Sequence, residues 1–314
     1  MREVPVTIPA SDITLAGTFS TPDGDGPHPS ALLIAGSGPL DRDGNHPQLP
    51  LSVSKDLAAI LADTGWATLR FDKRGVGESG GEYLPTGFEQ EGLDANDAMR
   101  WLKNHDDTTT IVAIGHSVGA LYAAELSAFT PGIDGAVLLA YTGKTGKETL
   151  EWQAAAISET LPGILTSLLK LFGSSVEKQQ AKAIRRLAKS DADVERIQGQ
   201  KVNAKWMREF VAYDPAPVMR ATKTPLLAIT GAKDVQVDAA DLEEVALVAG
   251  DRAEVWVIDD VDHILRYEPE PVSNPKKYKK QIERPIDGRV IEALTDWLAQ
   301  FDADPVDLDI AADT

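Results

Sequence analysis

The sequence predicts an α/β fold, in which a mostly parallel β-sheet is covered by helices on both faces. Short, continuous apolar runs alternate along the chain with longer segments of helical periodicity. Strands that are apolar at nearly every position are typical of parallel sheets buried on both faces, and the intervening helices supply the crossover connections. Residues 144–214 interrupt this alternation with helical patterning alone, which predicts an inserted helical cap.

The predicted elements follow in a simple order. Residues 4–8 and 13–20 alternate apolar and polar side chains around a Pro-Ala-Ser-Asp turn, which predicts an antiparallel hairpin at a sheet edge. The remaining predicted strands cover residues 31–35, 66–71, 111–114, 135–140, 225–230 and 254–258. The predicted helices of the sheet region cover residues 51–64, 91–104, 120–128 and 288–301.

The insertion, residues 144–214, divides the predicted core. We expect a first core segment at 1–143, a second at 215–302, and an acidic tail at 303–314. Within the insertion, Gly163, Gly173 and Gly199 are expected to separate short helices, and no strand is expected. Apolar residues are dense between Leu161 and Phe172, which favours a cap over a merely decorative insertion.

Charge is distributed unevenly along the chain. The insertion carries 12 Lys and Arg against 9 Asp and Glu, a net charge of +3, whereas the whole chain carries −18. A second basic run, Lys276–Lys280, follows in the last third of the chain. Both could attract an anionic substrate. Solvated faces of amphipathic helices explain the same pattern and are the favoured interpretation.

Composition excludes several classes of protein. The absence of cysteine excludes disulfides, thiolate metal sites and a cysteine nucleophile, and the five histidines have no metal-ligand spacing. The negative charge opposes nucleic-acid binding. Residues 1–5 contain no apolar signal core, and no stretch reaches the length of a membrane span. We therefore expect a soluble cytoplasmic protein without nucleic-acid or membrane partners; its oligomeric state stays open.

The motif with the clearest chemistry is Gly115-His116-Ser117-Val118-Gly119, which lies between a predicted strand and a predicted helix. Glycines two residues on either side of Ser117 let strand and helix approach closely. The pattern predicts a nucleophile elbow, which would hold the Ser117 hydroxyl at the C-terminal edge of the sheet above a helix N-terminus. A tight turn with an ordinary surface serine is the alternative.

Five motifs in order resemble those of the α/β-hydrolase superfamily, and within it the lidded bacterial carboxylesterases of the serine-aminopeptidase-like group. They are Gly36–Asn45, Phe71–Ser79, the elbow, Gly231–Val237 and Asp262–His263. The resemblance covers nearly the whole chain. It implies the α/β-hydrolase fold, with a lid where residues 144–214 are inserted.

The resemblance also implies a catalytic triad in the chain order Ser117, Asp234, His263. A serine hydroxyl is a poor nucleophile until a neighbouring base accepts its proton. His263 directly follows the last predicted strand, which is where this fold places that base. Asp234 follows the strand before it, and its carboxylate would fix the tautomer of the imidazole.

Other candidates for base and acid are less suitable. His116 lies inside the elbow and is expected to point away from the serine and pack locally. Asp238 is better suited to begin the next helix, and Asp262 adjoins His263, so the two side chains cannot readily face each other. The remaining histidines lie too early in the chain: His28, His46 and His105.

The negative oxygen of a tetrahedral intermediate needs backbone N–H donors. Val118, directly after the nucleophile, is one expected donor. The other should come from the loop after the first parallel strand, where Ala35 replaces the usual histidine of the superfamily. Ser37 takes the donor position, with Gly38 as an alternative. Polar residues of the neighbouring loops are expected to brace them: Asp41, Arg42, Asp43, Asn45, Asp72 and Arg74.

These residues predict a serine hydrolase that cleaves a small-molecule carboxylic ester through an acyl-enzyme, without a metal or an organic cofactor. Aminopeptidases, amidases, thioesterases, lactonases and acyltransferases use the same residues and remain alternatives. A non-catalytic ligand receptor is less favoured, because all three triad residues are present. Haloalkane dehalogenation is disfavoured, because its nucleophile would be an aspartate. The acyl and alcohol preferences and the physiological substrate stay open.

Overall fold

The protein is described by a computed structural model, which covers residues 1–159, 176–197 and 199–301. Its centre is an eight-stranded sheet in the order β1-β2-β4-β3-β5-β6-β9-β10. The first two strands pair antiparallel and the other six run parallel to one another. The strands are β1 Arg2–Pro9, β2 Thr14–Thr21, β3 His28–Ile34, β4 Ala67–Phe71, β5 Thr108–His116, β6 Gly135–Leu139, β9 Leu226–Gly231 and β10 Ala253–Ile258.

Helices connect the parallel strands. Those of the sheet region are α1 Val53–Asp63, α2 Phe88–Lys103, α3 Val118–Phe129, α7 Ala216–Ala221, α8 Asp241–Ala249, α9 Tyr278–Gln281 and α10 Gly288–Leu298. The described part of the insertion contributes α4 Gly146–Glu159, α5 Val176–Ala188 and α6 Ala204–Ala212. Within the described ranges, no helix has both the length and the apolar character needed to cross a bilayer.

Both faces of the sheet are buried, as the continuous apolar strands predict. In β3, Leu32 and Ile34 join the cluster beneath α2, α3 and α8, whereas Ala31 and Leu33 join the cluster beneath α1 and α10. Successive strand residues point to opposite faces, so one strand supplies both cores. The predicted α/β-hydrolase architecture is confirmed.

The insertion departs from the prediction at one point. It contains an antiparallel hairpin, β7 Val194–Ile197 with β8 Gln200–Asn203, so the expectation of helices alone is wrong. Gly199 lies in the turn with φ of +85°, a conformation that glycine adopts without penalty. Four-residue strands are too short for their alternation to stand out in a helical background. Gly163 and Gly173 lie outside the described residues.

The topology brings four loops to one edge of the sheet. Because β3, β5, β9 and β10 run parallel, the loops that follow them all begin at the same end. Those loops carry Ser37, Ser117, Asp234 and His263 in turn. Clefts at the carboxyl ends of parallel strands are the usual ligand sites of open α/β sheets.

Candidate active site

Ser117 occupies the sharp turn between β5 and α3. Its φ of 57° and ψ of −124° are rare for a residue with a side chain, and such strain persists only where the surroundings enforce it. The flanking glycines permit the close packing that holds this turn. A Cβ on Gly115 would collide with the backbone of Gly119, and a Cβ on Gly119 would collide with the carbonyl of Ile34. The strained turn predicted for the elbow is therefore present.

The loop after β3 passes directly against the nucleophile position. A Cβ on Gly36 would lie 3.1 Å from the Cβ of Ser117 and 3.6 Å from its Oγ. Ser37 comes next and lines the same cavity as Ser117. Val118 is the first residue of α3, where backbone N–H groups have no partner within the helix. Of the two expected donor residues, Val118 directly follows the serine and Ser37 lines the same cavity.

His263 and Asp234 form a buried pair beside this serine. The Nδ1 of His263 lies 2.7 Å from Oδ2 of Asp234, and the two residues are only 4% and 6% exposed. The other carboxylate oxygen, Oδ1, accepts hydrogen bonds from the backbone N–H of Gln236 at 2.7 Å and of Val237 at 3.1 Å. These contacts fix the orientation of the carboxylate. Among the described residues, no hydrogen bond to Nε2 of His263 is found.

The rival carboxylates are engaged elsewhere. Asp238 accepts a hydrogen bond from Nζ of Lys144 at 2.9 Å. Asp262 turns its Oδ1 to the backbone N–H groups of Ile264 and Arg266, at 3.1 and 3.0 Å. Burial raises the pKa of Asp262 to about 6. Neither carboxylate makes a hydrogen bond to the His263 ring among the described contacts.

The other histidines differ in their surroundings. His116 is not confined to local packing as predicted, since its Nε2 lies 2.7 Å from the backbone carbonyl oxygen of His263 and it lines the cavity with Ser117. Sequence reasoning missed this link, because no local pattern marks it. His46 also lines the cavity. His105 packs against the aromatic ring of Phe19, and His28 begins β3.

A cavity of about 270 Å³ opens beside Ser117 and His263. Two segments form its walls: residues 40–54, before and at the start of α1, and residues 264–278, after His263. The apolar wall consists of Leu40, Leu49, Leu51, Val53 and Ile264. Polar groups are contributed by His46, Ser54, Gln236 and Tyr278. This volume lies just below the usual range for ligand pockets, about 300–1,000 Å³.

Ion pairs hold the loop that carries Ser37, as predicted for its polar residues. Arg42 donates from Nε and Nη2 to the two carboxylate oxygens of Asp72, at 3.1 and 2.5 Å. Burial alone would raise the pKa of Asp72, but hydrogen bonds from Arg42 and the Glu78 N–H outweigh it and hold the pKa below its usual value. Asp41 ties its own loop through the Asn45 N–H at 2.9 Å.

Arg74 serves the neighbouring loop in the same way. It makes two hydrogen bonds to Asp94 of α2, at 3.0 and 2.8 Å, and a third to Asp12 at 2.8 Å. Both side chains are buried. The bidentate pair fixes the loop after β4 to the helix that follows it.

The described part of the insertion packs on the core around Phe88 at the start of α2. The Phe88 ring contacts Trp206, Phe210 and Tyr213, with ring centroids 4.8–5.9 Å apart. Asn203 donates to the carbonyl oxygen of Thr86 at 2.6 Å. No described insertion residue lines the cavity beside Ser117. The described residues of the insertion therefore leave the predicted cap over Ser117 as an expectation.

The basic run after His263 borders the cavity. Pro275 and Tyr278 line the wall, whereas the four lysines are exposed: Lys276, Lys277, Lys279 and Lys280. Lys277 lies 3.6 Å from a carboxylate oxygen of Glu270. This exposure fits the interpretation of the run as a solvated surface.

Comparisons with known proteins support the fold and the family of this chain. Esterase EstD of Thermotoga maritima is 28% identical over 301 residues, which cover 94% of this chain and 69% of that protein. Two solved structures share the fold: ferulic acid-bound Est1E of Butyrivibrio proteoclasticus and esterase Pf2001 of Pyrococcus furiosus. The first has a TM-score of 0.63 at 17% identity and covers 94% of this chain and 98% of its own. The second has a TM-score of 0.62 at 19% identity and covers 95% of this chain and 91% of its own.

The sequence also matches a protein family over residues 51–270, a span that includes Ser117, Asp234 and His263. The family is described as serine aminopeptidase, S33. The chain therefore belongs to the serine aminopeptidase S33 family of the α/β-hydrolase superfamily, and it is an esterase-like hydrolase by distant homology.

Proposed function

We propose that the protein is a serine esterase that cleaves small carboxylic esters through an acyl-enzyme, with Ser117, His263 and Asp234 as its catalytic triad. One observation carries the proposal. A buried His263–Asp234 pair, joined at 2.7 Å, opens on the same cavity as a serine held in a strained turn. A nucleophile and a base on one cavity, with an orienting acid bonded to the base, form the arrangement that activates a serine hydroxyl.

In the first half of the reaction, Nε2 of His263 accepts the Ser117 hydroxyl proton while Oγ attacks the ester carbonyl carbon. Asp234 holds the Nδ1 proton and stabilises the imidazolium that forms. When the tetrahedral intermediate collapses, the bond from the carbonyl carbon to the alcohol oxygen breaks and His263 returns its proton to the leaving alcohol. Water, deprotonated by His263, then attacks the acyl-enzyme, which releases the carboxylic acid and restores Ser117.

The backbone N–H groups of Val118 and Ser37 would hold the oxyanion of each tetrahedral intermediate. Removal of one such donor costs about 3–4 kcal/mol of transition-state stabilisation in a well-studied serine protease. Ser37 is favoured over Gly38, because Ser37 lines the cavity and Gly38 is absent from its described lining. The hydrogen bonds between Arg42 and Asp72 would keep this loop in place during turnover.

The cavity favours esters with a small apolar group. Its aliphatic wall would bury a short acyl or alcohol chain, and its volume would limit the chain length. We also propose that residues 144–214 cover the site as a cap, because their described part packs against α2 beside the loop after β4.

An aminopeptidase is the second candidate, since the family description names that activity. Such an enzyme must bind the free ammonium group of its substrate, which is costly to bury without a negative partner. No residue of the described cavity lining carries a carboxylate, and Asp234 lies behind His263, to which it is bonded. This lining favours neutral esters over aminoacyl substrates.

A turnover screen tests the proposal. The substrates are p-nitrophenyl esters of graded chain length, assayed alongside lactones, thioesters and aminoacyl amides. We expect short-chain esters to give the highest kcat/KM and Ser117→Ala to abolish turnover. Ser127→Ala is a matched control, since the described hydrogen bond of its hydroxyl goes to the Ala124 carbonyl within α3. A preference for aminoacyl amides, or a fully active Ser117→Ala variant, would contradict the proposal. Added alcohol acceptors reveal acyl transfer.

A further inference from the structure

His116 is a buried histidine that the proposed reaction does not use. It lies directly before Ser117 and is only 9% exposed. Its Nε2 lies 2.7 Å from the backbone carbonyl oxygen of His263, and the two imidazole rings are 5.0 Å apart at their centroids. A carbonyl oxygen can only accept a hydrogen bond, so the Nε2 of His116 must carry a proton and donate it.

The neutral form of His116 is the one present near neutral pH. Burial, followed by the proximity of His263, lowers the pKa of His116 to about 4. One tautomer, with the proton on Nε2, is therefore selected by the carbonyl of His263. A neutral ring also adds no positive charge that would oppose formation of the His263 imidazolium.

The contact joins two separate loops at the site. The elbow carries Ser117, and the loop after β10 carries His263. Asp234 contacts the His263 imidazole and not its backbone. Hydrogen bonds within the turn, such as Asp262 N–H to the Arg266 carbonyl at 2.9 Å, fix the shape of this loop but do not join it to the elbow. The His116 hydrogen bond holds that backbone to the residue next to the nucleophile.

We propose that His116 is a positioning residue, which sets the distance between the Ser117 hydroxyl and Nε2 of His263 by hydrogen bonding to the His263 backbone. This inference rests on the proposed function. A misplacement of about 1 Å at a reacting centre can lower the rate about 100-fold. Because the contact acts on the base and not on the cavity wall, its loss should lower kcat and leave KM nearly unchanged.

Two substitutions separate this role from simple packing. His116→Leu removes the hydrogen-bond donor and fills its space with an apolar side chain. His116→Gln keeps a donor amide at a similar distance from the backbone. We expect His116→Leu to lower kcat about 10- to 100-fold, with KM changed less than about threefold, and His116→Gln to recover most of the rate. Rates are expressed per active site, counted by titration with a fluorophosphonate.

Three results would overturn the inference. The first is a kcat of His116→Leu that stays within about twofold of the parent. The second is a loss explained wholly by fewer titratable sites, and the third is a His116→Gln variant as slow as His116→Leu while equally folded. If His116→Leu does not fold, His116→Asn replaces it, because its amide is one bond too short to reach the carbonyl. Failure of the esterase proposal itself is recognised separately, by a parent protein that neither turns over esters nor reacts with the fluorophosphonate.

Discussion

Asp234→Asn should lower kcat by about four orders of magnitude, and the hydrogen bonds of Asp234 show why. Its Oδ1 accepts the backbone N–H groups of Gln236 and Val237, so an asparagine must place its amide oxygen there. The amide NH₂ then faces Nδ1 of His263, which lies 2.7 Å from Oδ2 in the parent. A donor at that position forces Nδ1 to accept, and the ring proton moves to Nε2.

A ring protonated at Nε2 cannot accept the proton of Ser117. The same substitution in a serine protease triad costs about 10⁴ in kcat, which corresponds to about 5.5 kcal/mol. The assay is kcat and KM on a short-chain p-nitrophenyl ester, with the fold checked by circular dichroism. Asp238→Asn and Asp262→Asn are matched controls, since the described contacts include no hydrogen bond from either carboxylate to the His263 ring. An Asp234→Asn variant with more than about a tenth of the parent kcat, or a larger loss in either control, would refute this reasoning.

Three further predictions concern the surroundings of the triad. Gly36→Ala should lower kcat at least about tenfold, because its Cβ would lie 3.1 Å from that of Ser117; full activity would contradict the close approach of this loop. Val53→Phe should narrow the cavity and lower kcat/KM for longer esters relative to acetate, by about 1–3 kcal/mol per excluded methylene; an unchanged chain-length profile would place the substrate elsewhere. Folding lowers the pKa of His116 to about 4 from an unfolded value near 6.5, so the neutral ring contributes about 3 kcal/mol to the free energy of unfolding above pH 6.5. This contribution is lost as the pH falls towards 4. Urea unfolding at several pH values should therefore show a smaller loss of stability with falling pH for His116→Gln, and the same pH dependence as the parent would refute the prediction.

The sequence allows prediction of the fold and of the candidate triad because their signals are local. Apolar runs mark the strands, and the glycines around Ser117 mark a turn that only small neighbours permit. Parallel strands bring their carboxyl-end loops together whatever the loop sequences are. Hence the position of Asp234 after one strand and of His263 after the next indicates that the two side chains meet.

Other features depend on tertiary contacts that no local pattern records. The bond from His116 to the His263 backbone joins residues far apart in the chain, and His116 by itself is consistent with local packing. The cavity walls belong to residues 40–54 and 264–278, whose paths depend on distant partners such as the Arg42–Asp72 pair. The hairpin at 194–203 was missed because its strands are shorter than one reliable period of alternation.

The identity of the nucleophile is the central claim, and covalent labelling with a fluorophosphonate tests it most directly. The reagent phosphonylates a serine that a neighbouring base activates. Mass mapping of the labelled protein should place one adduct on the peptide that contains Ser117, with loss of ester turnover in proportion to labelling. Ser117→Ala should take up no label, whereas Ser127→Ala should react like the parent. An adduct on any other serine, or a folded Ser117→Ala variant that still hydrolyses esters, would contradict the account.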